Sequence, residues 1–334
     1  MAAASFATRD PIGRPLAVPA SVDADTTSPG FAADDAAGIA AYYAEHGYVV
    51  VRGVVPPELC ERANAAFDRQ AKADPRPFYR LSGIPERHAY TDTGFMLQGI
   101  RDVQSLDRRR YGDFRDLSLA VVTHATLRSA VQAVLGQPGT IVQTMYFEGN
   151  PTTQPHQDSY YLDAEQIGAM VAAWVATEDI APGAGRFYIC PGSHRLALPG
   201  NADEHNIAEH HDRFLDAVAD AMRDTPLEVR APALQAGDVL LWSSRTIHGS
   251  LSTETPDRSR RSFTAHFIPD SSRFLQWQRR VVPLDVAAIN GVRVHHPKDQ
   301  RRLRHRLRYL AETRLPGPTA KAKRFITARL LRGR

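Results

Sequence analysis

Two hydrophobic periods divide the chain. Between Asp34 and Gly136, three stretches (34–47, 56–73 and 113–135) carry apolar residues at helical spacing, as in helices with one buried face. Asp34 or Asp35 can cap a first helix carrying Ile39, Tyr42 and Tyr43, and Gly47 can end it. Tyr48-Val49-Val50-Val51-Arg52-Gly53-Val54-Val55 is dense and β-branched and predicts a buried strand closed by Gly and Pro. Pro56-Pro57 opens a second helix to about Ala73, with Leu59, Ala63, Ala66 and Phe67 at helical spacing. Residues 74–112 follow neither period and are broken by Pro and Gly, which predicts a long loop of the lid or binding type. Residues 113–135 predict one more helix, closed by Gly136.

From residue 139 the texture changes to short runs bounded by Gly, Pro and Asn. The runs at 140–147, 154–162, 170–177, 185–190, 227–230, 238–242, 246–248 and 261–268 predict strands. A segment at 195–226, helical near 208–223, interrupts them. Short strands at this spacing predict a mainly β protein with flanking helices, its core an all-β barrel or jelly roll. Residues 1–33 hold few large apolar residues and are expected to form a disordered or loosely docked arm. The expected organisation is one domain over 34–292: a helical part at 34–136, a β core at 139–270 and the insertion at 195–226. A tail at 293–334 follows, with Leu303, Leu307 and Leu310 at helical spacing and a second short basic segment at 321–331.

Charge changes the picture of that tail. Net charge is +4, but residues 293–334 carry 14 Lys and Arg against 2 Asp and Glu, a net of +12. The remainder is acidic, at −8, so the pI of 9.1 describes the tail. The leucines of the tail can dock on the β core, or the tail can bind an anionic membrane surface or a polyanionic glycan. It has no nucleic-acid motif and few aromatic residues, Tyr309 and Phe325, so nucleic acid is not the expected partner. Mean hydropathy is −0.35, and no apolar run reaches the ~18 residues of a membrane span. The first 20 residues lack a secretory signal pattern. A cytoplasmic protein, peripheral to a membrane if the tail binds one, is expected. Cys60 and Cys190 are too few for a disulfide framework and read as small buried hydrophobes.

The chemistry starts at Gln154-Pro155-His156-Gln157-Asp158-Ser159. On a strand, residues two apart share a face, so His156 and Asp158 can reach one point. A His-x-Asp pair alone is weak, but His248, in Thr246-Ile247-His248-Gly249-Ser250, offers a third ligand. Two His and one carboxylate with open positions is the facial triad of non-haem Fe(II) oxygenases. Arg258, Arg260 and Arg261 follow, and one that points into the barrel could grip a carboxylate through two parallel hydrogen bonds. His194, after a Pro-Gly-Ser turn, reads as structural, His266 as a strand residue, and His205, His210 and His211 as surface residues of the insertion.

These residues together resemble the phytanoyl-CoA dioxygenase family of Fe(II)/2-oxoglutarate oxygenases. The resemblance runs from Gly47-Tyr48-Val49-Val50-Val51-Arg52-Gly53 to about Pro269. It includes Tyr146-Phe147, His156-Gln157-Asp158, Trp174, Pro191-Gly192-Ser193-His194, Gly237-Asp238 and His248-Gly249-Ser250. It implies a double-stranded β-helix (cupin-like) core, iron held by His156, Asp158 and His248, and 2-oxoglutarate held by Arg260, with Arg261 as the alternative. It also implies that Ser250, Trp174 and Gln157 lie near the co-substrate; Gln143 and Thr144 are added from strand facing. The implied reaction consumes O2 and 2-oxoglutarate, hydroxylates a C–H bond of a small molecule, lipid or glycan, and releases succinate and CO2. Halogenating relatives carry Gly or Ala in place of the carboxylate, so Asp158 favours hydroxylation. Two other readings compete: a zinc hydrolase on the same three ligands, and a catalytically silent binding protein. Residues 76–112 and 195–226 are the expected substrate-selecting segments, with Arg80, Arg87, His88 and Arg101 able to meet an anionic group.

Overall fold

The structure, a computed structural model, describes residues 4–196, 207–300, 302–315, 317–319, 321–322 and 325. His205 and most of the 321–331 segment lie outside the described residues, and so does the side chain of His210.

The centre is a nine-stranded sheet. Its order is Val286–Ile289, Val292–His295, Gly139–Phe147, Ser262–Pro269, Val171–Ala176, Val239–Ser243, Tyr48–Arg52, Gly30–Ala32, with Ile100–Arg101 also paired to Gly139–Phe147. Its inner strands are antiparallel; Val292–His295 and Gly30–Ala32 join the flanks in parallel. A second, smaller layer faces it. This layer contains the pair Phe187–Ile189 with His248–Ser250, and the three-stranded unit Arg280–Val282, Phe274–Gln276, Leu162–Ala164. Two facing layers of mainly antiparallel strands, with helices packed outside, form the jelly-roll core.

Strand alternation explains why the central runs are apolar throughout. Val171, Ala173 and Val175, with Val239, Leu241, Phe263, Ala265 and Phe267, face outward into the principal core. There they meet the helices α1 (Ala36–His46), α2 (Pro57–Ala66), α3 (Arg108–Val122) and α4 (Ala125–Leu135). The alternate residues face inward: Trp174 and Leu240 in one row, His266, Ala172 and Trp242 in the next. Both faces are therefore buried, and the inward one carries the chemistry.

The first helix is capped as its sequence predicts: Asp35 accepts from the Gly38 N–H, and Gly47 ends α1 at φ 75°. A Cβ at Gly47 would lie 2.3 Å from the His194 ring, so His194 is a packing residue. The helix expected over 113–135 is two helices, broken at Thr123-His124, because His124 takes an extended ψ of 140° ahead of α4. Both cysteines are buried, and burial pushes their thiols up to about 11 for Cys60 and about 12 for Cys190, as expected of inert hydrophobes.

Both expected domain boundaries shift. The N-terminal arm is a built part of the fold: Ser5–Arg9 and Pro15–Pro19 form a hairpin, and Gly30–Ala32 extends the main sheet. Few apolar residues suffice, because Phe6, Leu16 and Val18 join the cluster that includes Tyr160, Tyr188 and Ile247 on the second layer. A fifth helix, α5 (Ile207–Asp224), covers the same cluster through Phe214, Val218 and Met222, spaced four apart. At the other end the domain does not stop at 292. Val292–His295 belongs to the sheet, and His295, His296 and Asp299 are buried. A sixth helix, α6 (Leu303–Arg314), then packs near Pro85–Glu86. No helix among the described residues is long and apolar enough to cross a membrane.

Candidate metal centre and its cavity

His156 and His248 are set against each other by an isolated antiparallel bridge, each backbone N–H donating to the other's carbonyl at 3.0 Å. The strand expected over 154–162 does not form. After His156 the chain turns into a 3-10 segment, Asp158–Tyr160, and this turn swings Asp158 back toward both rings. The Nε2 atoms of His156 and His248 each lie 3.6 Å from Asp158 Oδ1, and the three ligand atoms fall within 4.8 Å of one another. The other ring nitrogens are engaged: His156 Nδ1 is 2.8 Å from the Gln154 carbonyl, and His248 Nδ1 is 2.9 Å from that of Thr246. An Nδ1–H donated to each carbonyl leaves both Nε2 lone pairs facing the carboxylate.

The charge states suit a cation. Burial alone would raise the Asp158 carboxyl, but His248, His156 and His266 hold it well below the usual carboxylate range. Burial pushes the His248 ring down to about 4, against the pull of Asp158. At neutral pH the cluster is thus an ionised carboxylate beside a neutral His248 ring, a donor set suited to a divalent transition metal.

Two residues missing from the sequence-derived site fix the carboxylate. The Trp242 indole N–H donates to Asp158 Oδ2 at 3.0 Å, and His266 Nε2 lies 3.4 Å from the same oxygen. Oδ1 is left to the imidazoles. The signal for both was alternation: His266 falls on the same face as Thr264, opposite Phe263 and Ala265, and Trp242 sits in its cross-strand row. Trp242→Phe keeps an aromatic side chain but deletes the donor and leaves part of the buried indole's space empty. We expect it to weaken metal binding about 10- to 100-fold, read by titrating metal into the metal-free protein, with a lowered melting temperature from the space the smaller ring leaves in the core.

A cavity of about 930 Å³ opens from this cluster. Gln143, Trp174 and Ser250 line it, and Ser250 Oγ also accepts the Thr153 N–H at 2.7 Å. Two expected neighbours do not line it. Thr144 lies on the opposite strand face, with its hydroxyl on Gln104 and the Val103 N–H. The side-chain amide of Gln157 donates to the Arg245 carbonyl. His211, read as a surface residue, lines the cavity and meets the Tyr161 hydroxyl at 2.6 Å.

The two arginines separate cleanly. Arg261 points outward to Asp68 and Glu148, at 2.7–2.9 Å. Arg260 lines the cavity, buried at 3% exposure, 6.0 Å from the Trp174 and Phe147 ring centres. It has no carboxylate partner among the described residues, its Nε makes no hydrogen bond, and burial pushes the guanidinium down to about 10. A buried cation without a counter-charge is costly, so this one is poised for an anion that enters the cavity.

Residues 43–262 match the phytanoyl-CoA dioxygenase (PhyH) family over well over half of the chain. The chain belongs to the phytanoyl-CoA dioxygenase family. Among curated relatives, it is 30% identical to the bovine (Bos taurus) phytanoyl-CoA dioxygenase domain-containing protein 1 over 164 residues, 44% of this chain and 51% of that one. The chain thus spans about half the length of that relative. It is 26% identical to the 1-deoxypentalenic acid 11-beta-hydroxylase of Streptomyces arenae, over 72% of this chain and 83% of the relative. Among solved structures, EctD from S. alaskensis, with 2-oxoglutarate and 5-hydroxyectoine, superposes with a TM-score of 0.53 at 19% identity, covering 80% of this chain and 91% of that one. The non-heme alpha ketoglutarate dependent carbocyclase SnoK from nogalamycin biosynthesis also gives 0.53, at 18% identity and 75% and 90% coverage. These likenesses establish the fold shared by this family member.

Proposed function

We propose that this family member is an Fe(II)/2-oxoglutarate-dependent oxygenase that hydroxylates a C–H bond of a largely apolar small molecule or lipid with an anionic group. One observation carries the reading: a buried, unpaired Arg260 shares a cavity with the His156, Asp158 and His248 cluster. A zinc hydrolase on the same ligands leaves that cation without a use, and a silent binding protein leaves the tuned ligand set without one.

His156, Asp158 and His248 would hold the iron, Trp242 and His266 keeping the carboxylate in place. When bound, the metal supplies O2 activation coupled to decarboxylation of 2-oxoglutarate to succinate and CO2. Arg260 binds the distal carboxylate of 2-oxoglutarate against Trp174, in a site too dry for that carboxylate to be left to water. Phe187 stacks on His248, with ring centres 5.3 Å apart, and closes that side. Asp158 occupies the place that halide-binding relatives leave open, which favours hydroxylation.

The substrate class rests on the rest of the cavity. Leu81, Met145, Phe147, Leu162, Leu215 and Trp277 give it apolar walls, which suit a hydrocarbon skeleton better than a glycan. Its outer part is lined by Arg101, Arg280, Lys298 and Arg308. Asp102 sits 3.4 Å from Arg101 and 3.6 Å from Lys298, and Glu312 sits 2.8 Å from Arg308. Among the described residues cations outnumber carboxylates there, which favours a carboxylate or phosphate on the substrate. Of the arginines expected in this role, Arg80 is spent inside its own loop, on the Gln98 carbonyl and His88. The test is O2 uptake with succinate formation in the presence of Fe(II), raised above uncoupled background by apolar organic acids. Turnover with Zn(II) in the absence of 2-oxoglutarate would overturn the proposal.

A further inference from the structure

The leucines of α6 do not dock on the β core. Leu303, Leu307 and Leu310 are 68%, 57% and 43% exposed. At ~3.6 residues per turn they form one stripe, about 180° from the face that carries His305, Tyr309 and Glu312. That opposite face is the docked one. Tyr309 donates its hydroxyl to the Pro77 carbonyl at 2.7 Å, and Glu312 is 2% exposed. Exposed Arg304 and Arg306 flank the stripe on either side, with Arg314 at its end. The helix has a single acidic residue, Glu312, and it is turned inward against Arg308. Leu315, the residue that ends the helix, is 58% exposed as well.

A three-turn helix that exposes leucines between arginines, with its carboxylate hidden, is built for a surface both apolar and anionic. We infer that α6 docks this protein onto an anionic lipid bilayer, lying in the interface with Leu303, Leu307 and Leu310 among the acyl chains and Arg304, Arg306 and Arg314 at the headgroups. Charge decides between the available occupants. A second copy of this chain would bring the same arginines face to face, and a soluble polyanion would have no use for the leucines. The docked face of the same helix, through Arg308 and Glu312, lines the active-site cavity, as does half-exposed Leu81. Docking therefore sets α6 between the cavity and the lipid surface, about one helix diameter (~10 Å) apart, and that this cavity is the active site rests on the oxygenase reading. The docking itself does not.

The test is flotation of the full-length, metal-free protein with vesicles. It is expected to float with phosphatidylglycerol/phosphatidylcholine vesicles, to release as salt is raised, and to ignore pure phosphatidylcholine. Leu303→Ser/Leu307→Ser/Leu310→Ser leaves every charge in place and alters only exposed side chains, so its melting temperature is expected to match that of the parent. It is expected to lose flotation by about tenfold or more. Arg304→Gln/Arg306→Gln is expected to lose about tenfold at low salt. Three outcomes would overturn the inference: no flotation with anionic vesicles at low salt, flotation that survives the leucine changes, or a dimer that those changes convert to monomer. Equal capture of parent and leucine variant by dextran sulfate, with no flotation of either, would assign the face to a polyanion instead.

Discussion

Asp158→Ala is expected to abolish iron binding and succinate formation together, by more than about a hundredfold. The reason lies in how many groups converge on this one side chain. Its Oδ1 faces the Nε2 atoms of His156 and His248, and its Oδ2 takes the Trp242 donor and lies against His266. Removing it deletes a ligand and releases the two groups that orient it. It also strips the anionic charge that the donor set offers a divalent metal. The check is metal titration of the folded variant by calorimetry, beside a succinate assay. Retained stoichiometric Fe(II) binding would refute the three-ligand assignment. Asp158→Glu tests position rather than charge: its added methylene pushes the carboxylate into the Trp242 and His266 contacts, and we expect weak metal binding without recovered turnover.

Arg260→Met is expected to move stability and function in opposite directions. The guanidinium is wholly buried without a counter-charge, and burial lowers it to about 10. A base whose folded value lies below its unfolded one binds its proton less tightly when folded, so the charged form opposes folding at every pH below about 10. An apolar side chain of similar length is therefore expected to raise the stability of the metal-free protein by about 1–3 kcal/mol. Affinity for 2-oxoglutarate should fall about 100-fold or more, since its distal carboxylate would face an apolar wall. Urea unfolding and 2-oxoglutarate titration of the Fe(II) protein read the two effects separately. Arg260→Lys keeps the charge but loses the two-pronged grip, and an intermediate affinity is expected. Loss of stability with unchanged co-substrate binding would show Arg260 to be a structural residue. The same changes at Arg261 would cut its ion pairs to Asp68 and Glu148, and they are expected to destabilise the fold while leaving 2-oxoglutarate affinity near that of the parent.

What could be read in the chain followed from local rules. The ligand types, their order and the apolar runs between them pointed to a jelly roll and to His156, Asp158 and His248. The inward row that carries Trp242 and His266 was in principle legible too, since alternation along 262–269 sets Thr264 and His266 apart from Phe263 and Ala265. The lapse at 154–162 shows the limit of the same rule. His156 and Asp158 meet through a turn rather than a strand face, and a bridge to a residue 92 positions away holds that turn.

The sequence by itself determined the donor set, the strand alternation and the amphipathic tail, because residue chemistry and short-range periodicity are properties of the chain. The tertiary structure decided the rest. It set Arg260 in the cavity and Arg261 on Asp68 and Glu148, turned Thr144 and Gln157 to partners outside the cavity, and brought His211 to its lining. It also fastened the N-terminal segment to the second layer and turned the leucines of α6 away from the core. These outcomes depend on which long-range partner claims a side chain first. A hydrogen bond or ion pair to a residue a hundred positions away costs the same loop closure whichever neighbour makes it, so local sequence does not distinguish them.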